Sequence, residues 1–189
     1  MKYLNIGISV LFACLLFGQV QTHLPFQLCQ LEHTNLFLGD WDAFLASLQQ
    51  MGGAVKWLGT YGIQFFDRPI IGGIIFLLPV MGLFATTACV LRRRTKSHWL
   101  WVPLAAWLAV AQLLSLYDFN FYWWGALALC LAMGVLWFWS LLKPSLTRNI
   151  LFAFSIPFIA WLLGAVVLVY VLAGICLFVD KKSWKLAWL

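Results

Sequence analysis

The chain has 189 residues, of which 64% are hydrophobic, 17% aromatic and only 10% charged. Soluble domains carry about 45–50% apolar and roughly 25% charged residues, so this composition excludes an ordinary water-soluble globule. The net charge is +6, from 12 Lys and Arg against 6 Asp and Glu.

Five stretches contain no charged residue at all: 3–20, 69–91, 99–117, 119–142 and 149–179, which are 18, 23, 19, 24 and 31 residues long. A helix needs about 20 mostly apolar residues to cross a hydrocarbon core. The pattern therefore predicts an all-α fold, a polytopic transmembrane helical bundle that forms a single membrane domain over residues 1–189. Short interfacial helices are expected in the polar loop 21–68.

The first stretch, 3–20, follows Lys2 and has the outline of a signal peptide. Leu16, Phe17 and Val20 supply no small-x-small cleavage site, so an uncleaved first span is expected. The loop 21–68 then holds four of the six acids (Glu32, Asp40, Asp42 and Asp67) with His23 and His33. Within it, Asp40 suits an N-cap, its carboxylate accepting from backbone N–H groups of the next turn. Trp41, Phe44, Leu45, Leu48 and Met51 recur at helical spacing, which predicts an amphipathic helix of about eleven residues. Gly52-Gly53 ends it. A second interfacial piece contains Val55, Leu58, Tyr61, Ile63, Phe65 and Phe66 and turns at Asp67-Arg68-Pro69, where proline can open a helix at no cost in hydrogen bonding.

In the stretch 69–91, Pro79 removes one backbone hydrogen bond, and Thr86 and Thr87 are placed to serve the freed carbonyl. The stretch 99–117 opens on Trp99 and Trp101 and closes on Tyr117. The stretch 119–142 carries aromatic girdles at both ends, Phe119, Phe121, Tyr122, Trp123 and Trp124 at one and Trp137, Phe138 and Trp139 at the other, as residues at two membrane interfaces would. The last stretch, 149–179, makes about 46 Å of helix against a hydrocarbon core of about 30 Å. Ser155-Ile156-Pro157 and Gly164 offer breaks. One long helix, tilted or kinked, is expected there rather than a hairpin, because each half would reach only about 15 residues.

With Lys2 in the cytoplasm, loop 21–68 lies outside, Arg92, Arg93, Arg94 and Lys96 inside, the Asp118 turn outside and the Lys143–Arg148 turn inside. The basic cluster fits a topology anchor or a contact with anionic lipid headgroups. Five spans then carry Lys181, Lys182 and Lys185 outside, against the tendency of basic segments to stay in the cytoplasm. Membrane lipids and other membrane subunits are the expected partners. A seven-residue basic loop is too small a face for nucleic acid. Four of the five Cys lie in apolar stretches and none forms a C-x-x-C pair, so neither a metal nor another cofactor is expected.

Asn35-Leu36-Phe37, the Asp40–Leu48 helix, Gly52-Gly53, Gln64-Phe65-Phe66 and Pro69 with Gly72 together give a pattern over the first hundred residues. It resembles a family of uncharacterised multi-span membrane proteins of Bacteroides-like bacteria, domain of unknown function 6057. The resemblance implies a bacterial inner membrane location. It also implies a longer chain with many helices, against which this sequence would be a short relative or a fragment. No activity or catalytic residue comes with it. The plan of one span, an outer loop with interfacial helices and further spans is similar to that of polytopic lipid-linked sugar glycosyltransferases.

That analogy makes Glu32 a candidate catalytic base with Asp40 or Asp42 as helper. The competing roles are a solvated acid, a helix cap and a helix-dipole partner. Gln112 is the one amide deep in the stretch 99–117, a candidate substrate or interhelical contact. No Lys, Arg, Asp, Glu or His falls inside the five stretches, which argues against charge-driven transport by this chain alone. The leading expectation is a structural or interaction component of a membrane. The alternatives are a glycosyltransferase-like protein, or a fragment of one, and a transporter or channel subunit.

Overall fold

Long apolar runs become helices here because a helix pairs each backbone N–H and C=O within its own segment, leaving none to be buried unpaired in hydrocarbon. The computed structural model describes residues 2–23, 28, 31, 33, 37, 39–94, 101–118, 122–143 and 146–178. They form α1 (Lys2–His23), α2 (Trp41–Leu48), α3 (Gly53–Ile63), α4 (Pro69–Arg94), α5 (Trp101–Leu116), α6 (Trp123–Leu141), α7 (Leu146–Leu163), a 3-10 turn (Gly164–Val166) and α8 (Val167–Phe178). No strand occurs among the described residues. The fold is an all-α helical bundle.

The axis of the bundle is the parallel pair α4 and α6. At one end the Trp123 indole N–H donates to the Phe76 carbonyl at 3.2 Å, and at the other Arg93 Nη1 donates to the Ser140 carbonyl at 3.1 Å. Between these points Gly82 lets the helices close up, since a Cβ there would overlap the Cys130 sulfur. Helix α5 covers a second face of α4 through buried Ala105, Ala109, Leu113 and Leu116. Helix α1 lies on a third, with the Phe12 and Phe84 rings 5.3 Å apart.

Pro79 sits inside α4, as expected, but the two threonines do not serve the break. Thr86 donates to its own helix at Gly82 and Leu83, and the buried Thr87 hydroxyl has no partner among the described residues. Pro79 frees the Ile75 carbonyl, and Trp123 of α6 donates at the next one, that of Phe76. An indole from the neighbouring helix can reach this carbonyl. A threonine ten or eleven residues further along the same helix cannot.

The run 149–179 is not one continuous helix. Helix α7 ends at Leu163, Gly164 takes a left-handed φ of +68°, and α8 returns antiparallel along α7. Ser155 Oγ lies 2.8 Å from the Tyr170 hydroxyl, and the rings of Phe152 and Tyr170 are 5.0 Å apart. A Cβ on Gly174 would overlap the Phe152 ring. Ser155 donates to the Phe152 carbonyl, so the Tyr170 hydroxyl, fully buried, is the donor to Ser155. On an uninterrupted helix, residues 155 and 170 would stand about 22 Å apart. The expectation of a single helix failed because it weighed arm length against the bilayer and not the turn. The 18 residues of α7 alone reach about 27 Å, and glycine is the residue that tolerates the left-handed reversal.

Three helical runs are long and apolar enough to cross a membrane: Ile70–Arg93, Trp123–Leu141 and Thr147–Leu177, the last counted through the hairpin turn. Their charged neighbours are confined to the two ends of the bundle. Asp40, Asp42, Lys56, Asp67, Arg68 and Asp118 are exposed at one end, with α2 and α3 (the cap end). Arg92, Arg93, Lys143 and Arg148 stand at the other (the basic end).

At the cap end two reversals meet. Gly52, with φ +76°, joins α2 to α3, and its N–H donates to the Trp161 carbonyl at 2.8 Å. The Trp161 indole returns a bond to the Leu48 carbonyl at 2.9 Å. A Cβ on Gly52 would lie 3.3 Å from the Gly164 Cα, and one on Gly164 would lie 3.4 Å from the Gly52 Cα. We expect Gly164→Val and Gly52→Val each to destabilise the protein by about 1–3 kcal/mol, through a strained left-handed residue and a forced separation of two backbones. The double variant should cost less than the sum of the two. Thermal unfolding of the detergent-solubilised chain measures all three.

Candidate functional site: the aromatic cap

Helices α2 and α3 lie across one end of α6 because two glycines on α3 let them approach. A Cβ on Gly59 would overlap Trp124, and one on Gly62 would lie 2.9 Å from the Trp123 ring. The buried face of α3 is Gly53, Val55, Gly59 and Ile63. Helix α2 has no buried residue, and Trp41, Leu45 and Met51 stay exposed. That is the disposition of a helix lying with its apolar side in a membrane surface.

Aromatic rings tie the two helices together. Trp57 is the hub: its ring meets Phe44 edge-on at 4.9 Å, tilts against Phe37 at 5.2 Å and stacks on Tyr61 at 6.3 Å with an interplanar angle of 8°. Trp41 joins through Phe44 at 5.3 Å. At the edge of this cluster Gly39, Asp40, Trp41, Phe44 and Trp57 line a cavity of about 290 Å³.

Asp40 holds the N-cap position of α2 with an extended backbone, yet its carboxylate makes no capping bond. Its backbone carbonyl accepts from the Phe44 N–H at 3.1 Å instead. Helix α2 is also shorter than the amphipathic pattern predicts, eight residues instead of about eleven, because the chain turns from residue 49 and reverses at Gly52. Asp42 is exposed in the first turn of α2, beside the positive end of the helix dipole, and does not line the cavity. Glu32 lies outside the described residues. Of the two described candidate acids, Asp40 lines this cavity and Asp42 does not.

The other candidates sit elsewhere. Gln112 is 6% exposed inside α5, and its amide nitrogen meets no acceptor among the described residues. Arg92 and Arg93 are exposed at the basic end of α4, and Arg93 ties that end to α6 through the Ser140 carbonyl. Arg94 ends α4, its side chain not described, and Lys96 lies outside the described residues. Among the described residues no group of three His, Cys, Asp or Glu side chains is placed to hold a metal ion.

Sequence reasoning missed the aromatic cavity and the hub role of Trp57. The hub had a signal: Gly59 and Gly62 share one face of a helix that also carries Trp57 and Tyr61, so the smooth face can approach a neighbour while the rings gather opposite. The bundle and its end cap define an apolar helical protein of membrane type. The chain belongs to the family of unknown function DUF6057, whose model matches residues 1–189. The match therefore runs the full length of the sequence rather than the first hundred residues alone. No curated protein and no solved structure matches it.

Proposed function

We propose that this protein is a multi-pass component of the bacterial inner membrane, with its N-terminus in the cytoplasm and the aromatic cap on the outer side. It acts as a structural or interaction subunit. The observation that carries this reading is the sorting of charge. Among the described residues every Lys, Arg, Asp and Glu belongs to one of the two ends, and the space between is filled by apolar side chains such as Phe76, Val80, Ala105, Ala109, Ala126, Ala132 and Leu136. Acidic and basic side chains, the usual mark of an ion or proton pathway, do not occur along that interior among the described residues.

The hairpin of α7 and α8 supports the orientation. The contacts of Phe152 with Gly174 and of Ser155 with Tyr170 are centred on residue 163, so α8 comes back level with Arg148. Counting α7 and α8 as two passes gives six in all, and Lys181, Lys182 and Lys185 then fall on the cytoplasmic side. In that arrangement ten of the twelve basic residues face the cytoplasm and five of the six acids face outward. The conflict created by five spans disappears, because basic segments resist translocation.

Cysteines introduced singly at positions 118, 143 and 182, in a chain whose five native cysteines are replaced, test the orientation. In intact cells an impermeant maleimide should label position 118 alone, and permeabilised cells should expose all three. Labelling at 182 without permeabilisation would contradict the proposal. The subunit role predicts that the native chain, purified in mild detergent, retains a second membrane protein at fixed stoichiometry that is lost when the cap residues Trp41 and Met51 are changed to serine. Recovery as a monomer with no retained partner would overturn it.

A further inference from the structure

We propose that the cavity beside Asp40 is a binding site for an organic ammonium group, a quaternary or primary amine of the kind found on zwitterionic lipid headgroups and on small free amines. The walls carry the argument. Trp41, Phe44 and Trp57 present three aromatic rings around one space, and Asp40 puts a carboxylate at its edge. The face of an aromatic ring is electron-rich, and several rings around one space attract a cation whose hydration is easily shed. A carboxylate beside them adds a full opposite charge. Together these groups favour a soft, bulky cation over an anion, a neutral sugar or a small hard metal ion.

Two further observations agree. Asp40 stands where a carboxylate normally caps its helix, but it makes no capping bond, and among the described residues no Lys or Arg pairs with it. Its charge is therefore available to a ligand. The volume of about 290 Å³ is far more than the roughly 10–15 Å³ one water needs and close to the roughly 300 Å³ at which small-molecule sites begin. The cage is also held in shape, because Trp57 packs against the Phe37 and Tyr61 rings, neither of which lines the cavity. Little ordering is left for the ligand to impose. This proposal does not depend on the subunit role, since a free amine would bind whatever the chain assembles with.

The test uses the full chain in phosphatidylglycerol nanodiscs. Saturation-transfer NMR follows the methyl groups of choline chloride and, separately, of 3,3-dimethyl-1-butanol, its uncharged analogue. A second arm measures retention of phosphatidylethanolamine against phosphatidylglycerol on the purified chain by native mass spectrometry. We expect choline, phosphatidylethanolamine or both to bind, and the neutral alcohol to bind at least tenfold more weakly. Asp40→Asn and Trp57→Leu should each weaken binding about tenfold, while Asp42→Asn leaves it unchanged. Asp40 is exposed, so its variant keeps the fold, and a far-UV spectrum checks both. Choline binding assigns a free amine and selective lipid retention a headgroup. No binding in either arm, equal binding of the neutral alcohol, or binding unaffected by Asp40→Asn would overturn the proposal.

Discussion

The architecture depends on one reversal, the left-handed turn at Gly164. A helical run of 31 residues, Thr147–Leu177, would otherwise project well beyond any bilayer. The turn divides it into two arms that pack on each other and on α6. Burial of Tyr170 and its hydroxyl contact with Ser155 hold the arms together inside an apolar setting, where an unpaired hydroxyl would be costly. The same glycine is the platform for the cap, because its lack of a side chain lets Gly52 approach backbone to backbone.

One local choice of backbone angle thus has consequences at both ends of the molecule. At the cap end it gives α2 and α3 a fixed seat, reinforced by the reciprocal bonds between Gly52 and Trp161 and between Trp161 and Leu48. At the basic end it returns the chain toward Arg148. Two of the polar groups that remain inside, Thr87 and Gln112, have no described partner for Thr87 Oγ1 or Gln112 Nε2. Each is a net cost of burial, and neither makes the apolar interior into a route.

Much of the fold was legible in the sequence. Apolar runs between charges marked α1, α4, α5 and α6, Gly52-Gly53 marked the reversal between α2 and α3, and Pro69 opened α4. What was illegible had physical causes. The choice between a kinked helix and a hairpin turns on the φ angle of a single glycine and on contacts eighteen residues apart, which hydropathy does not report. The Trp123 bond to Phe76 links residues 47 apart in sequence, so no local pattern reveals it. In the site, Asp40 stood out as a candidate for capping and as a helper acid, but its aromatic surroundings depend on α3 folding back over α2. Composition placed aromatic residues near an interface without saying which of them would share a cavity.

The central claim is the hairpin, and a short cross-link between its arms tests it directly. The variant carrying Ser155→Cys and Tyr170→Cys, with the five native cysteines replaced, should be bridged within the chain by a short reducible bismaleimide, because the contact of the parent hydroxyls at 2.8 Å sets the two residues on facing helices whose axes pack about 8–10 Å apart. The cross-linked chain would migrate faster on denaturing gels until it is reduced. A continuous helix would hold the two sulfurs about 22 Å apart, and failure to cross-link in folded protein would contradict the account.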